Sequence, residues 1–190
     1  MKKPIINIYQ QHPIYTRQMH KLFNTIIIVF IFGLFLLPDA KTPKFPPVHN
    51  FSIQSFLGTW YEIARLPNAF EKDLTKITAT YQQNQDGTLS VINQGLKKGK
   101  TVITKGKLKF SDDTSTGHLK VSFFGPFYSD YIVIDIDKNY SYVLVAGGSE
   151  KLLWVLSRNK KLSKTTLEDL LLKARALGFK TNDIIMVPQE

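Results

Sequence analysis

From residue 59 onward, apolar and polar residues alternate in short runs separated by turn residues. This is the pattern of strands with one buried face. Eight such runs stand at 59–66, 77–84, 88–95, 102–110, 117–124, 130–137, 141–147 and 152–158. Asp86-Gly87 signals a tight hairpin between the second and third, and Asp112-Asp113, Asp137-Lys138-Asn139 and Gly147-Gly148 mark further turns. Alternation assigns the faces. Leu119, Val121 and Phe123 share one face, with Lys120 and Ser122 on the other. Leu108 and Phe110 oppose Lys107 and Lys109, while Leu89 and Val91 share their face with the polar Asn93. Trp154, Leu156 and Arg158 fall together. Eight antiparallel strands with short links predict an all-β fold, an up-and-down barrel or a sandwich.

The period then changes. Thr165-x-x-Glu168 reads as a capping box. Leu167, Leu170, Leu171, Ala174 and Leu177 follow at helical spacing, and Gly178 is a natural stop. A helix with one apolar stripe must dock, and the outside of the sheet is the available surface. Ile184 to Val187 reads as a short final strand. Trp60 opens the first strand after a Gly-x-Trp turn, and Arg158 ends the last long one. That pairing favours a closed sheet: an eight-stranded antiparallel up-and-down β-barrel with one C-terminal α-helix packed outside.

Composition narrows the chemistry. Hydrophobic residues at 43% and charged residues at 21% describe a globular domain. The chain has no cysteine, which removes disulfides, thiolate metal sites, Cys nucleophiles and Cys-borne lipid. Residues 41–190 hold 21 Lys and Arg against 14 Asp and Glu, an excess that favours anionic partners. The lysines are scattered apart from Lys97-Lys98-Gly99-Lys100, so nucleic acid is not expected and a membrane surface is a candidate. Beyond residue 40 the only histidines are His49 and His118, without a patterned Ser or Asp partner. Glu62 stands as a single carboxylate in a strand, and Asp135 reads as solvated. No metal, cofactor or enzymatic activity is expected.

Residues 1–40 read as a leader. Ile26 to Leu37 is an apolar run of twelve residues, suited to a signal peptide and short for a span, which needs about 20. Met19-His20-Lys21 before it resembles a signal-peptide start, so translation from Met19 is an expectation. Pro38 weakens a cleavage site after Ala40. A cleaved signal peptide and an uncleaved anchor therefore both remain open. Either route exports the domain to the periplasm or cell envelope, soluble or held by the uncleaved helix. A Cys-linked lipoprotein is not expected. Residues 41–50, with Pro43, Pro46 and Pro47, read as an extended linker, and residues 51–190 as the domain.

Three runs carry a family resemblance: Gly58-Thr59-Trp60-Tyr61-Glu62-Ile63-Ala64-Arg65, Val121-Ser122-Phe123-Phe124-Gly125-Pro126-Phe127-Tyr128 and Leu153-Trp154-Val155-Leu156-Ser157-Arg158. Gly58-Thr59-Trp60 resembles the first lipocalin motif, and Arg158 resembles the third. The match is to the bacterial lipocalin and apolipoprotein D branch, over roughly residues 50–188. The second motif, Thr-Asp-Tyr, is replaced by Asp137-Lys138-Asn139-Tyr140. Bacterial members are typically outer-membrane lipoproteins, whose cysteine this chain lacks. The resemblance implies a barrel closed at one end. It also implies an apolar pocket for a fatty acid or lysophospholipid, in the service of envelope maintenance or repair.

If Trp60 and Arg158 close one end, the mouth is built from the links 67–76, 96–101, 125–129 and 148–151. The pocket wall is then expected at Val91, Leu108, Val121, Phe123 and Trp154, joined by Tyr81 and Asn93. At the mouth, Lys97, Lys98, Lys100, Phe127 and Tyr128 would meet an anionic head group, with Phe70 beside them; a merely solvated turn is the alternative for the lysines. Gly58, Trp60 and Arg158 are structural in this reading. The competing reading is a barrel filled by Phe123, Trp154 and Tyr81, acting as an interaction protein. Oligomeric state is not legible.

Overall fold

The computed structural model describes residues 42–190. The expected leader, its apolar run and the Met19 start lie outside the described residues. A short helix α1 (Ile53–Phe56) precedes eight long strands. These are β1 (Gly58–Arg65), β2 (Thr75–Gln83), β3 (Leu89–Lys97), β4 (Lys100–Phe110), β5 (His118–Phe124), β6 (Phe127–Ile136), β7 (Tyr142–Gly147) and β8 (Leu153–Ser157). A helix α2 (Lys164–Ala176), a 3-10 turn (Thr181–Asp183) and a two-residue strand β9 (Ile185–Met186) follow. Each long strand pairs antiparallel with the next, and β1 pairs with both β8 and β2. The predicted up-and-down barrel is closed.

Closure is uneven along β1. Gly58 to Tyr61 pair with β2, but further up β9 takes that edge at Ala64 and Arg65. The tail then bridges the gap: Lys76 N donates to Pro188 O at 2.8 Å. The buried Gln189 amide donates to Glu62 O at 2.6 Å and Ile77 O at 3.0 Å. A side-chain amide thus replaces ladder bonds where β1 and β2 part, keeping buried carbonyls satisfied.

Two apolar layers result. The inner one fills the barrel with Phe56, Trp60, Tyr81, Leu89, Leu119 and Val133, among others. The outer one lies under α2, where Leu170 and Ala174 meet Ile132, Leu144, Leu153 and Val155. The helical stripe therefore docks as its spacing predicts. Its cap differs: Ser163, not Thr165, accepts from Thr166 N. Gly178 ends the helix at φ +93°, a conformation a side chain resists. Asp135, expected to be solvated, is half-buried and paired with Lys173 of α2. The Asp86-Gly87 turn is wider than a two-residue hairpin, spanning residues 84–88 between β2 and β3. Residues 42–50 run along the barrel wall. Phe45 is buried against Phe179, with ring centroids 4.6 Å apart. Val48 N donates to Val133 O.

Candidate functional site

The closed end is built around Trp60, which is fully buried. Its indole donates to Phe56 O at 2.8 Å, and its ring lies 5.2 Å from Phe56. The Arg158 guanidinium sits 3.8 Å from the indole centroid, a cation–π stack. Arg158 also donates to the carbonyls of Ser55, Leu57 and Thr59 at 2.8–2.9 Å and of Phe56 at 3.2 Å. It therefore staples α1 across the barrel floor. Gly58 has φ +94°, and a Cβ there would stand 3.3 Å from Arg158 Nη1, so both conformation and space favour glycine. Above the floor, the Tyr81 and Tyr131 hydroxyls share a hydrogen bond of 2.6 Å. Burial pushes both phenols above the usual tyrosine range, so the pair is neutral.

The expected wall residues separate into two levels. Tyr81, Val91 and Leu108 are buried in the lower packing, and Val121 packs against it. Phe123, Asn93 and Trp154 lie higher. The Phe123 ring fills the notch left by Gly106, where a Cβ would come within 2.8 Å of it. Asn93 pairs with Ala79 and Thr104, and its buried Oδ1 has no hydrogen-bond partner among the described residues. Trp154 Nε1 donates to Glu71 Oε2 at 3.0 Å. Beyond this level the wall stands free: Val102 and Thr104, on the same side of β4 as Leu108, are exposed.

The upper lumen also holds a charged cluster. β1 and β8 slip register between Glu62 and Ala64, so Glu62 faces Leu156 while Arg65 faces Trp154. This β-bulge puts residues 62 and 65 on one face, which a regular strand would separate. Arg65 donates to Glu62 Oε1 at 2.9 Å and to Glu71 O at 2.7 Å. Glu71 Oε2 further accepts from Asn68 Nδ2. Both Glu62 and Arg65 are only 3% exposed. Burial, and secondarily the charge of Glu71, push the Glu62 carboxyl up to about 8, although Arg65 opposes the shift. Glu62 thus carries a proton at neutral pH, with Arg65 set between it and Glu71.

At the mouth, Lys98 (φ +51°) and Gly99 (φ +74°) form the two-residue turn between Lys97 and Lys100, the double positive-φ geometry of a type I′ hairpin. Lys97, Lys98 and Lys100 are exposed. No ion pair engages them among the described residues. Phe127 is 80% exposed and Phe70 64%. Tyr128 departs from expectation. Its ring takes Lys109 Nζ at 4.4 Å on the outer wall, away from the lumen face of Leu108. His118 gains a partner that spacing did not show, Asp130 at 3.0 Å, but Lys120 shares that carboxylate at 2.7 Å. Burial opposes ionisation of Asp130, yet those two partners hold it below the usual range. The group is a His–Asp–Lys cluster on the outer wall. No cluster of three or more metal-binding side chains occurs among the described residues.

Comparison with known proteins agrees with this architecture. A family model described as a lipocalin-like domain matches residues 51–189. The chain is 38% identical over 175 residues to outer membrane lipoprotein Blc of Vibrio cholerae, covering 90% of this chain and 100% of that one. It is 43% identical over 162 residues to outer membrane lipoprotein Blc of Escherichia coli, covering 82% and 91%. Insecticyanin of Manduca sexta superposes with a TM-score of 0.63 at 23% identity, covering 76% of this chain and 84% of that one, which supports the fold alone. These relatives correct the expected localisation. Proteins this similar carry the name of outer membrane lipoproteins, which overturns the expectation set against that class, a soluble or helix-held exported form. The chain itself contains no cysteine.

Proposed function

The chain belongs to the lipocalin family, and from that premise we propose that its barrel binds one lipophilic chain, a fatty acid or lysophospholipid, in the upper lumen. The observation that supports this reading is the contrast in filling. Below Val91 and Leu108 the interior is closed by aromatic rings, whereas above it Val102 and Thr104 remain exposed beside Phe123 and Trp154. An eight-stranded barrel leaves room for side chains or one slim ligand, and here the upper wall at Val102 and Thr104 stays exposed. Each methylene removed from water contributes roughly 0.8 kcal/mol. A chain of about ten buried methylenes therefore gains about 8 kcal/mol before association and ordering costs, so burial of the chain supplies the main gain and polar contacts must add to it for micromolar binding. The orphaned Asn93 Oδ1 offers one acceptor for a polar group of the ligand. In this reading the protein serves lipid maintenance at the cell envelope.

Trp154 is the natural reporter, lying between Glu71 and the Phe70 ring at 6.3 Å. Titration with monomeric lysophospholipid or palmitate should change its emission saturably, with one equivalent bound by native mass spectrometry. The competing filled-barrel reading draws on the packed lower half. It predicts no saturable response, and that result would remove the lipid-binding proposal.

A further inference from the structure

Eight large apolar side chains are strongly exposed among the described residues, and all but Leu172 lie at the open end. Phe70 is in the β1–β2 link, Val102 and Ile103 stand beside the β3–β4 turn, and Phe124 and Phe127 tip the β5–β6 hairpin at 81% and 80% exposure. Ile185 and Met186 line a groove of about 620 Å³ against the β1–β2 link. Single exposed apolar residues need no explanation, but a gathered set marks an interaction surface.

Charge says what that surface fits. The open-end turns present Lys72, Lys97, Lys98, Lys100 and Lys151 against Asp73 and Glu150, and Lys44 already pairs with Glu150 at 2.7 Å. The closed-end hairpin turns carry Asp86, Asp112 with Asp113, and Asp137 beside Lys138, and Arg158, Lys160 and Lys161 follow β8 at that end. The mouth is therefore the apolar and cationic end, while the floor carries charge of both signs and none of the exposed large apolar tips. Aromatic tips ringed by lysines match the interface of an anionic bilayer, where rings sit at head-group depth and long cationic stems reach phosphates.

We propose that the open rim docks on an anionic lipid surface, with Phe70, Phe124 and Phe127 at the head-group–acyl boundary and Lys72, Lys97, Lys98 and Lys100 on lipid phosphates. Docked this way, the mouth faces the bilayer and the floor turns away. Lipid can then pass between bilayer and lumen without crossing water. That last step rests on the proposed lipid-binding function; the docking does not.

The cysteine-free chain permits a direct test. Single substitutions Thr101→Cys at the rim and Thr114→Cys in the β4–β5 turn, both exposed positions, accept an environment-sensitive fluorophore in the full chain. Vesicles of phosphatidylcholine alone, or mixed with phosphatidylglycerol, carry lipid-borne quenchers. The rim probe should be quenched several-fold more than the floor probe, and more on the anionic vesicles. Rim variants share residues 1–41 with the parent chain, so any change in the rim-to-floor ratio belongs to the rim. Adding F124S and F127S to the rim-labelled chain should bring its quenching close to the floor value. K97Q, K98Q and K100Q together should remove most of the preference for phosphatidylglycerol. Near-ultraviolet circular dichroism verifies that each variant is folded. Equal quenching at both positions, or none at the rim, overturns the proposal. So does a rim probe that responds to protein concentration without vesicles, which assigns the patch to a second copy. Failure of lipid binding would show separately, as a flat Trp154 titration without vesicles.

Discussion

The two halves of the barrel are cut from the same strands yet obey different rules. In the lower half every large side chain is apolar or neutral, and the one cation, Arg158, meets an aromatic face and backbone carbonyls. In the upper half, two carboxyl groups and an arginine are buried together, an amide oxygen lacks a partner among the described residues and part of the wall stands exposed on both faces. Buried charge is costly unless paired, and replacing it with apolar residues commonly stabilises a protein. The upper cluster is therefore a poor device for stability. Its presence there, and its absence below, separates a half that holds the fold from a half free to bind.

The largest expected effect lies in the floor. Trp60→Ala should cost about 3–5 kcal/mol in urea denaturation, because it opens a cavity in a fully packed layer. Trp154→Ala, half-buried near the mouth, should cost less than half as much. Equal losses would erase the distinction between the halves. Next comes Arg158→Met, which leaves the floor carbonyls without their donor and should cost about 2–3 kcal/mol. Arg158→Lys should recover only part, since an ammonium lacks the planar fork.

A smaller, pH-dependent effect belongs to the upper half. The Glu62 pKa of about 8 exceeds its ordinary value of 4.5, so between those values the folded chain holds a proton that the unfolded chain has released. Stability should therefore fall as pH rises across that window, by up to about 1.4 kcal/mol per unit, and level off above it. Glu62→Gln should flatten the slope. If the variant keeps the wild-type slope, Glu62 is not the buried acid. The smallest effect is at the rim. Replacing Lys97, Lys98 and Lys100 with Gln should change stability by under about 0.5 kcal/mol. It should weaken binding of a fatty acid several-fold more than binding of its uncharged alcohol. Equal weakening would refute a head-group role.

Much of the closed half was legible in the linear chain. Gly58, Trp60 and Arg158 are legible because they match the lipocalin motifs, and period-two alternation puts Leu108, Val121 and Phe123 on the inner face. The helix α1 was not foreseen, since four residues carry no period. Tyr128 was assigned to the mouth by loop position, while its ring turned out to lie against Lys109. The cluster of Glu62, Arg65 and Glu71 was missed for a definite reason. Regular alternation puts residues 62 and 65 on opposite faces, and only the bulge against β8 reunites them. Glu71 reaches them from a loop whose path no local pattern specifies.

The sequence alone determined the strands, their buried faces, the docking stripe of the final helix and the residues that close the floor. Those depend on local periodicity and on side chains with narrow uses. Tertiary structure alone decided the bulge in β1, the tail that bridges β1 and β2 through Gln189, the carboxyl pair clamped by Arg65 and the gathering of apolar and cationic tips at one end. Each of these arises when segments far apart in the chain meet, where register and burial, rather than propensity, set which groups face one another.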